Sequence, residues 1–143
     1  MSVRIAWLFG LAGLVPFGVA VLAIWSPGTV MLGMAPGVAL GIYCTVVLAF
    51  LGGARFGADM RLAEGPGPGT LVFSLGPGLI ALIACAFVSA IGLRWLFVGL
   101  ILAFALQAGW DFKVQNMPTW AGRLRAVIGL GGVAALLGAL VAT

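Results

Sequence analysis

Residues 30–59 read VMLGMAPGVALGIYCTVVLAFLGGARFGAD, and small residues return there at every fourth position: Gly33, Gly37, Gly41, Thr45, Ala49, Gly53 and Gly57. On an α-helix a spacing of four drifts by about 40° per step, so the series winds slowly round one helix as a smooth seam. In lipid, burial of apolar surface gives helices no net reason to associate. Close backbone approach along small-xxx-small rows supplies the attraction instead. The stretch is therefore expected to be the hub of a membrane helix bundle, with these seven residues as its helix-packing interface.

The rest of the composition agrees with that reading. Hydrophobic residues make up 64% of the 143 and charged residues 7%, with a mean hydropathy of +1.28, whereas soluble domains carry about 25% charged residues. The net charge is +4, but the basic residues stand singly or in pairs between apolar runs, which argues against nucleic acid and for lipid headgroups as partners. Histidine is absent and only three carboxylates occur. A His-based metal site and a Ser/His/Asp triad are thus excluded. Cys44 and Cys85 fall within apolar runs and read as small packing residues rather than a disulfide or metal site.

Going outward from the hub, the chain divides into five spans of a single domain, 1–143, at about 5–25, 33–57, 71–91, 94–111 and 125–142, separated by Ser26-Pro-Gly28, the Glu64-Gly-Pro-Gly-Pro-Gly69 loop, a tight turn at Gly92 and a polar stretch before 125. The first apolar run is too long for a signal peptide and is kept as a span. Pro16 and Pro77 are expected to kink their helices, and Pro36 to mark where the regular part of the second helix begins. Pro77, Ala81, Cys85 and Ser89 form a second small row that could face the hub seam. The spans after 94 and 125 look short for a core of about 30 Å. Trp7, Trp25, Trp95, Trp110 and Trp120 are placed at the membrane interfaces.

Five spans put Arg4, Arg55, Arg61, Lys113, Arg123 and Arg125 on one side and Arg94 alone on the other. By the positive-inside rule the N-terminus is cytoplasmic, and the C-terminus lies on the opposite side. The membrane is expected to be the bacterial inner membrane, or the mitochondrial inner membrane in a eukaryote.

Chemistry-bearing side chains gather at that inner edge. Arg55, Asp59, Arg61, Gln107, Asp111, Trp120, Arg123 and Arg125 form the candidate polar cluster, in which Asp59, Glu64 and Asp111 pair with the arginines and pin the second loop to the fourth. Gln107 shares a helical stripe with Gly99, Ala103 and Asp111 and is expected to bond a neighbouring helix. No ionisable residue is placed near the midplane, which weighs against an ion-coupled relay.

Two segments carry a resemblance. Phe50-Leu-Gly-Gly-Ala-Arg-Phe-Gly57, and Gln107 to Asp111 followed by Pro118-Thr-Trp-Ala-Gly-Arg-Leu-Arg125, are similar to the two signatures of a family of small bacterial and mitochondrial inner-membrane proteins, a domain of unknown function that includes transmembrane protein 69. Ala121 stands where that pattern usually has tyrosine. The resemblance implies a multi-span protein without an established activity and singles out Gly52, Gly53, Arg55, Gly57, Gln107, Asp111, Trp120, Arg123 and Arg125, with no catalytic residue among them. The leading expectation is a non-enzymatic accessory, assembly or stabilising subunit of a larger inner-membrane complex, with bound lipids and no cofactor. Alternatives are a small homo-oligomeric carrier or channel lined by Gln107, Tyr43 and Thr45, and a protein binding a quinone, haem or other lipid-like ligand between helices.

Overall fold

A computed structural model of the chain describes residues 2–113 and 117–143, with the backbone alone at 112 and 113. It is all-α: α1 (Val3–Ala12), α2 (Val15–Ile24), α3 (Pro36–Asp59), α4 (Pro68–Ala86), α5 (Val88–Ile91), α6 (Leu93–Lys113) and α7 (Thr119–Val141). Five stretches are long and apolar enough to cross a membrane: Val3–Ile24, Pro36–Asp59, Pro68–Ala86, Leu93–Asp111 and Thr119–Val141. The spans close into a ring, since α2 packs on α3 and α7, α7 on α6, α6 on α4 and α4 on α3. Helix α3 also reaches α6 and α7, so it touches every other span. The core lies round it, with Leu40, Cys44, Leu48 and Leu51 of α3 against Leu96, Phe97, Leu100 and Phe104 of α6 and Leu136 of α7.

Local sequence explains where the elements begin and end. Proline occupies the first turn of α2, α3 and α4, where its missing N–H costs nothing. The first span is two helices, because Pro16 forces a restart at Val15 and leaves a break at Gly13 and Leu14. Tyr43 bridges that break: its hydroxyl donates to the Gly13 carbonyl at 2.5 Å, and its ring meets Phe17 edge-on at 4.9 Å. Pro77 is accommodated within α4, and the third span breaks later, at Phe87. Gly92, at φ +84°, then turns α5 into α6 in a backbone conformation that other residues adopt only at a cost.

The observed boundaries differ from the sequence reading at three places. Helix α3 starts at Pro36, so Gly33 lies outside it, in the Met31 to Met34 turn at φ +74°. Helix α6 runs for 21 residues rather than about 16. Helix α7 opens directly after Pro118 and has 23 residues, so Trp120, Arg123 and Arg125 stand on its first turns instead of in a loop.

The seam of spacing four does not stay on one interface. Gly37 faces Leu93, and Gly41 faces Leu96 and Cys85. Beyond them Ala49 lies beside Gly78 of α4, while Gly53 and Gly57 are exposed on the outside of the bundle. The buried stripe of α3 instead follows Gly37, Gly41, Cys44, Leu48, Gly52, Arg55 and Asp59, steps of three and four that keep to one face where steps of four alone rotate away. At the α3–α4 crossing Gly52 lies so close to the Ser74 carbonyl that a Cβ there would overlap it. On α4 the facing series is Thr70, Ser74, Pro77 and Ala81, with Cys85 near Thr45 at 3.6 Å. Ser89, placed in that row by spacing, is exposed beyond the break at Phe87.

Candidate functional site

Because the inward stripe of α3 ends in Arg55 and Asp59, a guanidinium and a carboxylate are carried into the bundle at 1% and 2% exposure. They sit one turn apart, with Arg55 Nε 3.6 Å from Asp59 Oδ1. The second carboxylate oxygen accepts from the Thr70 hydroxyl at 2.5 Å, which ties the end of α3 to the start of α4. Thr70 is itself buried. Its place is set by the preceding Gly-Pro-Gly-Pro-Gly run, which ends the loop and opens α4 one turn before the threonine.

The other half of the site comes from α6 and α7. Arg125, 8% exposed, holds Asp111 as a fork: Nη2 lies 3.0 and 2.9 Å from the two carboxylate oxygens, and Nε donates to Oδ2 at 3.1 Å. Its remaining nitrogen, Nη1, donates to the Leu51 carbonyl of α3 at 2.7 Å. Leu51 is one turn before Arg55, so both halves converge on the last third of α3. At about 1.5 Å per residue, Leu51 is roughly 12 Å from the end of that helix. The guanidinium thus reaches inward from Asp111, which, like Asp59, is the last residue of its span. Two cations and two anions leave the network without net charge, and an ion pair out of water is tolerated only when its donors and acceptors are so matched.

The site residues expected from sequence divide sharply. Arg55, Asp59, Gln107, Asp111 and Arg125 are brought together; Arg61, Glu64 and Arg123 are exposed and form no ion pair among the described residues. The pairs join α3 to α4 and α6 to α7, not the second loop to the fourth. Trp120 is half-buried near the start of α7. The side chain of Lys113 lies outside the described residues. Trp110, one residue before the end of its span, stacks its ring on Phe73 at 4.4 Å and 4° and covers Gly69. Tyr43 and Thr45, grouped with Gln107 by composition, are engaged elsewhere, on Gly13 and on Gly41 and Cys85.

Gln107 departs most from expectation. It is 1% exposed, and neither amide atom has a hydrogen-bond partner among the described residues. A buried polar group left in that state costs about 1–3 kcal/mol, so interhelical bonding does not explain it. Beside it, between α6 and α7, lies a cleft of about 440 Å³ bounded by Leu51, Phe104, Asp111 and Arg125. Thr70 and Ser74 were missed by the sequence reading, because the row of fours that runs back from Pro77 leads to Phe73 and Gly69 and passes them by.

A ring of five apolar spans round a buried, charge-balanced polar network defines a multi-pass α-helical membrane protein. The family described as "Protein of unknown function (DUF3429)" matches residues 2–141, and the chain belongs to that family. No curated protein and no solved structure matches it.

Proposed function

We propose that this protein acts without enzymatic chemistry, as an inner-membrane subunit that docks on and stabilises a larger membrane-protein complex. The observation that carries the reading is the outer face of α3. This helix already contacts every other span, yet Gly53 and Gly57 are exposed at spacing four, and a Cβ added at either would meet nothing within 4 Å. A lipid-facing row of small residues lets a further helix approach closely. The buried polar contacts support the same role, because the Asp59–Thr70 bond ties α3 to α4 and Arg125 ties α7 to α6 and α3. In this reading the end bearing Arg4, Arg61 and Arg123 faces the cytoplasm, as the positive-inside rule requires.

Photo-cross-linking from position 53 in native membranes tests it. A discrete adduct with a different polypeptide, absent when the linker is moved to the inward-facing Leu48, is the expected result. Cross-links to lipid alone would overturn the docking role, and a ladder of self-adducts would make the face a homo-oligomer contact.

A further inference from the structure

The geometry points to the cleft between α6 and α7 as a binding site for a neutral, ring-bearing amphiphile of the quinone class, held through its ring oxygen by the Gln107 amide. This goes beyond docking and does not depend on it.

Several observations combine here. The cleft, at about 440 Å³, is within the range of roughly 300–1,000 Å³ of small-molecule sites. Gln107 belongs to its lining and presents both a donor and an acceptor without a partner among the described residues. An oxidised quinone oxygen accepts from Nε2, and a quinol hydroxyl donates to Oε1, so one amide serves either state after rotation. The charged groups beside it are already consumed, with Arg125 bound to Asp111 and to the Leu51 carbonyl. Among the described residues no uncompensated charge lines the cleft for an anionic headgroup, which favours a neutral one.

Shape narrows the class further. The facing walls are made by Ala105 and Ala108 of α6 and Gly122, Ala126 and Gly129 of α7. These small residues leave room between the two helices for a flat ring, with the apolar side chains of Phe104, Leu130 and Val133 completing the walls. The rim residues Ala105, Ala108 and Leu130 are exposed on the outer surface of the bundle. An isoprenoid tail can therefore stay in the hydrocarbon phase while the ring is inside.

The test is a titration of the full-length protein in phosphatidylcholine nanodiscs with a decyl-substituted benzoquinone, read by tryptophan fluorescence quenching. Saturable quenching at one equivalent is expected. A Cβ at Gly129 meets nothing within 4 Å, so a side chain can start from this wall of the cleft, and Gly129→Phe should occupy the slot and weaken binding at least tenfold. Gln107→Leu should weaken it to a similar degree while raising the melting temperature of the ligand-free protein. Quenching that rises linearly, or that saturates identically in wild type and Gly129→Phe, would overturn the site. So would retention of full affinity in Gln107→Leu.

Discussion

Arg125 Nη1 donates to the main-chain carbonyl of Leu51 at 2.7 Å, so a side chain from the first turns of the last helix is anchored on the backbone of the central one. The contact is 74 residues apart in sequence and joins two elements that otherwise meet at only a few points. It also explains why the chain tolerates a guanidinium buried in an apolar bundle: every nitrogen of Arg125 has an acceptor.

Removing either side of this fork should be costly. Arg125→Ala strands the Asp111 carboxylate and frees the Leu51 carbonyl, and a loss of about 3 kcal/mol is expected, from the 3–5 kcal/mol typical of a broken buried pair reduced by the partial exposure of Asp111. Arg125→Lys should recover less than half of it, because an ammonium lacks the planar fork that serves two carboxylate oxygens and a third acceptor at once. Unfolding in mild detergent followed by circular dichroism measures both; equal stability of the lysine variant and wild type would contradict the fork.

Arg123, two residues earlier, is the control. It is exposed and has no ion pair among the described residues, so Arg123→Ala should stay within about 0.5 kcal/mol of wild type. The contrast between 123 and 125 in one unfolding series separates the buried network from surface charge.

Much of the fold was legible because its signals are local. Prolines placed at helix starts, the Glu64 to Gly69 loop and five apolar runs locate the spans, and the hub position of α3 follows from its small residues. The phase of the packing was not legible to the same degree. A row at spacing four and a stripe of alternating threes and fours coincide at Gly37 and Gly41 and then separate, which is why Gly52 rather than Gly53 meets α4. For the site, composition marked the ionisable residues but could not choose between Arg123 and Arg125. That choice depends on α7 beginning at Thr119, six residues earlier than the start at 125 that hydropathy alone suggests. Thr70 and Ser74 escaped notice because a hydroxyl in an apolar helix carries no signal until a partner such as Asp59 is in view.

Neighbouring glycines on α3 should therefore behave oppositely. Gly52→Ala drives a methyl into the Ser74 carbonyl, and since both atoms belong to helix backbones the strain is relieved only by separating α3 from α4. A loss of about 2–3 kcal/mol is expected. Gly53→Ala meets open space and should gain up to about 1 kcal/mol from helix propensity. Melting temperatures of the two purified variants give the comparison directly.

Thr70→Val keeps the shape of the side chain and removes the hydroxyl that serves Asp59. A hydrogen bond to a charged group is worth about 1.5–3 kcal/mol, and a loss of that size is expected, with Thr70→Ser restoring most of it. If valine were neutral at this position, the α3–α4 tie would have to reside in the Gly52 contact alone.

The last prediction concerns the break in the first span. Pro16 has no N–H to donate, and the chain restarts its helix at Val15, so the Gly13 carbonyl lies at a break in regular hydrogen bonding, where Tyr43 Oη caps it from α3. Tyr43→Phe retains the edge contact with Phe17 but leaves that carbonyl without its cap in an apolar setting, where no water replaces the bond. Destabilisation of about 1–2 kcal/mol should follow, and it should be local. Hydrogen exchange resolved by peptide ought to speed up across residues 11–18 while the segment at 125–136 stays protected. Uniform acceleration over the whole chain would show instead that the α1–α2 pair folds as one cooperative unit with the polar end of the bundle.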